Sequence, residues 1–168
     1  MSWQEQLYQS LKANGIRLVC YVPDNVLSGL IDLMERDDSL QVVSVTREEE
    51  GVGILAGGYL GGLRGALLLQ SSGLGNSINA LTSLNIPQQI PFLMVISPRG
   101  EVGEFNPFQV PMGRILKPLL DLLLIGHVIL EREEQVQPVV ERACRSAFRS
   151  NLPVAIILSR ELAGGGAR

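Results

Sequence analysis

The order of segments along the chain predicts a three-layer α/β/α domain, a six-stranded, mostly parallel sheet with helices on both faces. Three observations carry this. β-rich apolar runs and helical stripes alternate six times in 168 residues, the pattern of βα units. Two of the runs, residues 65–70 (GALLLQ) and 92–96 (FLMVI), are almost wholly apolar, as parallel strands buried on both faces are. No repeat or internal linker divides the chain. Residues 1–160 therefore read as one domain and 161–168, with three consecutive glycines, as a tail.

Each element has its own signal. Residues 3–14 carry a helical stripe of Leu7, Tyr8 and Leu11, stopped by Asn14 and Gly15. Residues 16–22 form a strand that ends in the turn Pro23-Asp24-Asn25. Residues 26–35 place Leu27, Leu30, Ile31 and Met34 on one helical face, and 42–45 form a short strand. After strand 65–70, S-S-G-L-G-N-S (71–77) reads as a Gly-rich turn opening a helix. After strand 92–96, residues 97–109 are the longest irregular stretch. A helix over 110–124 is interrupted at Lys117-Pro118, 127–130 is a strand, 133–149 an amphipathic helix and 153–158 a last strand. Ligands of such sheets sit beyond the carboxyl ends of the strands. The turns at 23–25, 46–50, 71–76 and 97–109 all follow strands, so they share that edge.

Composition narrows the function. A net charge of -3 and 5% aromatics give no basic or base-stacking surface for nucleic acid. The longest apolar stretch, 119–130, contains Asp121 and His127 and is too short to span a bilayer. The start, M-S-W-Q-E-Q-L, has no secretory pattern, and Cys20 and Cys144 are far apart. Both read as reduced core thiols of a cytoplasmic protein. His127 is the single histidine, which excludes His-rich metal sites.

Residues 46–62 (TREEEGVGILAGGYLGG) stand out. Thr46 and Glu49 have capping-box spacing, and Val52, Leu55, Ala56 and Tyr59 follow with helical period. Gly51, Gly53, Gly57 and Gly58 lie inside this helix, each at about 1 kcal/mol against alanine. Glycines there imply that a helix, a subunit or a cofactor comes close to the backbone. Periodicity sets Glu48 and Glu49 over the apolar face and Glu50 over Ile54 and Gly57; it does not separate Glu48 from Glu49.

The segments VPDNVL, REEEGVGILAGGY, SSGLGNSINAL and RGEVGEFNPFQVPMGR resemble the pyrimidine-binding domain of thiamine-diphosphate enzymes. Within that family they are similar to the decarboxylases of sulfopyruvate and phosphonopyruvate. The resemblance covers nearly the whole chain and implies a cofactor, thiamine diphosphate, with Glu49 hydrogen-bonded to N1′ of its aminopyrimidine as the catalytic group. It also implies that Gly73, Gly75 and Asn76 line the pyrimidine and that Asn25 is a polar active-site position. Arg99 and Gln109, both in the loop that follows the fourth strand, are candidate substrate residues. Arg99, with Arg114 and Lys117 on the next helix, suits a 2-oxo acid carrying a second anion, and its alternative is an ion pair with Glu101 or Glu104. Such enzymes hold Mg2+ and the diphosphate with a G-D-G motif that this sequence lacks. The resemblance therefore implies a beta subunit that supplies the metal site and shares the cofactor, no metal ligand in this chain, and a higher oligomer. A non-catalytic module binding an anion at residues 73–76, or one that only scaffolds an oligomer, is the alternative.

Overall fold

In the computed structural model, which describes residues 1–164, helices α1 (Trp3–Ala13), α2 (Ser28–Glu35), α3 (Glu48–Leu60), α4 (Ser71–Ala80), α5 (Val110–Leu122) and α6 (Val136–Ser150) alternate with six strands. The strands are β1 (Ile16–Tyr21), β2 (Gln41–Ser44), β3 (Arg64–Gln70), β4 (Leu93–Ser97), β5 (Gly126–Leu130) and β6 (Val154–Leu158). They form one sheet in the order β2-β1-β3-β4-β6-β5 with every neighbouring pair parallel. Continuous apolar runs fix this arrangement: β4 and β6 are buried at all five positions, so both faces must be covered. One face packs Leu7, Leu30 and Val140 of α1, α2 and α6 on the sheet. The other packs Val52, Leu74 and Leu116 of α3, α4 and α5. Cys20 and Cys144 are free and buried, and burial pushes each thiol up to about 12. Among the described residues no helix is long and apolar enough to cross a membrane.

The structure departs from the sequence reading in four places. Arg47, not Thr46, is the N-cap of α3. The Thr46 N–H is instead satisfied by Oε2 of Glu50 at 2.9 Å, so the reach-back comes from Glu50 and leaves Glu49 out of the cap. No Gly-rich turn follows β3: Ser71 is already helical, and α4 runs on into a π-turn at Leu81–Asn85. Pro118 does not interrupt α5. It only withholds the N–H that Arg114 C=O would accept one turn back. Finally, packing continues past residue 160, because Leu162 is buried against the α1, α2 and α6 core; residues 165–168 of the expected tail lie outside the described residues.

The glycines of α3 divide into two sets. A Cβ on Gly51 would lie 2.7 Å from Cδ1 of Leu67, and one on Gly58 would lie 2.3 Å from Cδ2 of Leu18. These two let the helix lie down on β1 and β3. A Cβ on Gly53 or Gly57 would meet nothing, so these two pave the outer face. The two sets respond oppositely to substitution. Gly53→Ala and Gly57→Ala are expected to stabilise the isolated chain by up to about 1 kcal/mol each, the helix-propensity difference. Gly58→Ala is expected to destabilise it by about 1–3 kcal/mol through overpacking. Urea melts of the three variants check this; destabilisation at Gly53 and Gly57 equal to that at Gly58 would mean that the outer face is already filled.

Candidate active site

The turns that follow β1, β2 and β4 meet the head of α4, which follows β3 directly, at the carboxyl edge of the sheet. The head of α3 presents three carboxylates to the positive end of the helix dipole, and they go three ways. Glu50 turns back to Thr46. Glu48 turns inward and is buried at 5% exposure. Glu49 turns outward, with its side chain 42% exposed, and meets Nε of Arg47 at 3.1 Å. Period alone sets both Glu48 and Glu49 over the apolar face; only Glu48 is there, with Val52 and Leu55. Glu49 instead heads the outer row Gly53 and Gly57, at i+4 and i+8.

The three residues of α4 expected at the cofactor have contacts within the chain. Asn76 Nδ2 donates to Oε2 of Glu48 at 3.0 Å. Gly73 gives Glu48 its room: a Cβ there would stand 2.4 Å from Oε1 of Glu48. A Cβ on Gly75 would touch Cε of Met112 at 3.3 Å. Glu48, Gly73 and Asn76 thus form a latch that locks the head of α3 to the first turns of α4. Only a carboxylate with a partner tolerates such burial, and removing Asn76 would leave this one without its bond.

Asn25 and Arg99 do come together. They line a cavity of about 230 Å3 with Asp24, Glu104, Phe105 and Arg160. Gln109 is not among its lining residues; it ends a 3-10 turn at Pro107–Gln109, and its backbone carbonyl lies 2.7 Å from where a Cβ on Gly100 would be. The Arg99 fork is already engaged. Nε and Nη2 donate to the two oxygens of Glu104 at 3.0 and 3.1 Å, and Glu104 also accepts from the N–H groups of Gly100 and Asn106. The Arg99 guanidinium and these amides hold the Glu104 carboxyl down to about 2. Arg160 donates to the carbonyls of Val102 and Gly103 and ties the loop to the turn after β6.

Two organising residues escape a reading by motif. Asp24 accepts from the N–H groups of Val26 and Leu27 and from Nε2 of Gln70, which fixes the turn carrying Asn25. Glu104 is the hub of the loop after β4. Asp24 had a signal, the Asx pattern of P-D-N; Glu104 had only its closeness to Arg99, which made it, with Glu101, a candidate ion-pair partner but not a hub.

The outer row of α3 tests whether a planar ring would fit. Gly53 and Gly57 leave its backbone bare beside the Glu49 carboxylate, which suits the pyrimidine end of thiamine diphosphate.

Comparison with known proteins places the chain in a family. Residues 1–101 match the family described as thiamine pyrophosphate enzyme, N-terminal TPP binding domain. The chain is 40% identical over 151 residues to the sulfopyruvate decarboxylase subunit alpha of Methanocaldococcus jannaschii, covering 90% of this chain and 89% of that one. It is 35% identical to the sulfopyruvate decarboxylase of Methanosarcina acetivorans over 93% of this chain but 40% of that longer one. Its fold superimposes with a TM-score of 0.75, at 20% identity, on the thiamine diphosphate-dependent 4-hydroxybenzoylformate decarboxylase of Rhodococcus jostii RHA1, over 96% of this chain and 31% of that one. The chain belongs to the thiamine pyrophosphate enzymes through their N-terminal TPP binding domain, and within them to the family of the sulfopyruvate decarboxylase alpha subunits.

Proposed function

We propose that the chain is the alpha subunit of a thiamine-diphosphate-dependent decarboxylase of sulfopyruvate, and that Glu49 is the carboxylate which holds and moves the proton at N1′ of the cofactor pyrimidine. The observation that carries the reading is the outward Glu49 at the head of an uncovered glycine row. Bound thiamine diphosphate would supply the electron sink that lets a 2-oxo acid lose carbon dioxide. The chain's own part is to present a proton-exchanging group on a rigid helix; excluding water around it falls to the partner that covers the glycine row. A partner beta subunit carrying the G-D-G motif would hold Mg2+ and the diphosphate and would cover the glycine row.

Magnitudes favour Glu49 over Glu48. The Arg47–Glu49 pair is exposed on both sides, and such pairs are worth about 0–1 kcal/mol, so a docking ring displaces Arg47 at little cost. Glu48 would have to leave its buried position and give up the hydrogen bond from Asn76, a bond to a carboxylate worth about 1.5–3 kcal/mol. Glu48 is therefore a positioning residue that sets the angle of α3.

Of the two readings of Arg99, reader of the second substrate anion or partner of Glu101 or Glu104, the Glu104 pair supports the second and makes Arg99 the clamp of its loop. Asn25 faces the same cavity with its turn held by Asp24, and is the better placed of the two to meet a 2-oxo acid.

In the complex with a beta subunit, Glu49→Gln is expected to lower decarboxylation of sulfopyruvate at least about 10^2-fold with assembly intact. Glu48→Gln keeps an oxygen for Asn76 and is expected to cost less than about tenfold; a reversed order would transfer the role to Glu48. The chain without its partner is expected to give no turnover.

Arg99→Ala is expected to lower kcat/KM for sulfopyruvate and pyruvate by similar factors, because the clamp serves both. A loss confined to sulfopyruvate, by about tenfold or more, would restore Arg99 as the anion reader.

The clamp also has a pH signature. The Glu104 carboxyl is held at about 2, below its usual 4.5. Its contribution is therefore complete above about pH 4.5 and is lost as the pH falls from there towards 2. Hydrogen exchange at the Gly100 and Asn106 amides is expected to keep constant protection from pH 7 to about 5 and to lose it only below. Loss of protection near neutrality would mean that Glu104 does not hold the loop.

A further inference from the structure

A second, larger cavity of about 830 Å3 opens between the loop after β4, helix α5 and the carboxyl ends of β5 and β6. We propose that it binds a small zwitterion with an apolar body, an aliphatic amino acid. Its size falls within the roughly 300–1,000 Å3 of small-molecule sites. Its floor is apolar: Leu116, Ile157 and Leu158 are buried and line it. Its mouth carries charges of both signs. Arg114 and Lys117 stand on α5 at i and i+3, hence on one face. Glu101 in the loop and Glu131 after β5 line the same cavity.

Among the described residues none of these four side chains has an ion pair or hydrogen bond. The remaining acid in the lining, Glu104, is neutralised by Arg99. Two uncommitted cations and two uncommitted carboxylates over an apolar floor sum to no net charge. A simple anion gains from Arg114 and Lys117 and is opposed by Glu101 and Glu131; a simple cation meets the reverse. A carboxylate and an ammonium on one ligand satisfy both pairs at once.

The site is also placed to act on the smaller cavity. Pro98, Glu101, Gly103 and Glu104 line both cavities. Helix α5 bears directly on the clamp, because a Cβ on Gly113 would come 1.6 Å from the carbonyl oxygen of Arg99. A ligand that draws α5 and the loop together therefore changes the setting of Arg99 and Glu104 without touching Asn25.

The test is a nuclear magnetic resonance titration of the full chain with L-leucine, and with two probes that each keep one charge, 4-methylpentanoate and 3-methylbutylamine. Leucine is expected to shift the amides of Glu101, Lys117, Ile129 and Glu131 saturably and to bind at least about tenfold tighter than either probe. All four charged residues are exposed, so their variants keep the fold. Arg114→Gln with Lys117→Gln is expected to weaken leucine and spare the amine. Glu101→Gln with Glu131→Gln is expected to weaken leucine and spare the acid. Equal binding of leucine and 4-methylpentanoate would show a plain anion site and overturn the proposal. So would the absence of any saturable shift with leucine at up to about 10 mM, weaker than a specific small-molecule site of this size binds. So would burial of these residues by the beta subunit without any leucine binding, which marks a protein interface. The titration needs neither cofactor nor partner, so its failure is separate from failure of the decarboxylase reading.

Discussion

Helix α3 has to lie against the sheet on one side and stay bare on the other, and the rest of the site depends on that. Gly51 and Gly58 let its axis approach Leu67 and Leu18 more closely than any side chain would allow. Gly53 and Gly57 keep its outer face free of side chains. Four glycines in thirteen residues cost the helix about 3–4 kcal/mol in intrinsic propensity. Packing of Val52, Leu55 and Ala56 in the core offsets this. The consequence is a backbone ridge that a flat ring or another helix can approach directly, with a carboxylate at its head.

That ridge makes the division of labour among Glu48, Glu49 and Glu50 intelligible. Consecutive residues on a helix point about 100° apart, so three adjacent acids cannot share one task. Glu50 closes the end of the helix on Thr46, Glu48 latches it to α4, and Glu49 is left on the open side. The latch uses the Gly73 gap and the Asn76 amide. Gly73 and Asn76 of the segment S-G-L-G-N thus seat α3, while Gly75 faces Met112 of α5.

Much of this was legible from residue order alone. The six strands, their parallel pairing and the common edge followed from apolar runs such as FLMVI and from alternation with helices. The special character of residues 46–62 followed from its glycines. What was not legible depended on contacts between distant segments. Period 3.6 leaves neighbouring positions ambiguous, so the choice of Glu49 over Glu48 came from the resemblance, and which of the two turns inward shows only with Gly73 and Asn76 in place. The seeming loop at 71–77 is helix because its glycines answer to Glu48 and Met112, which no local signal records. Arg99 had two readings, a reader of the second substrate anion and a partner of Glu101 or Glu104, and only the fold of a loop with no periodicity brings Glu104 onto it.

The most direct measurement is a crystal structure of this chain with its beta subunit and thiamine diphosphate. The expected result is a Glu49 oxygen within about 2.6–3.2 Å of N1′, Arg47 turned away, Gly53 and Gly57 covered, and Glu48 still on Asn76. A structure with Glu48 at N1′, or with the Gly53–Gly57 row open to solvent, would contradict the assignment of Glu49.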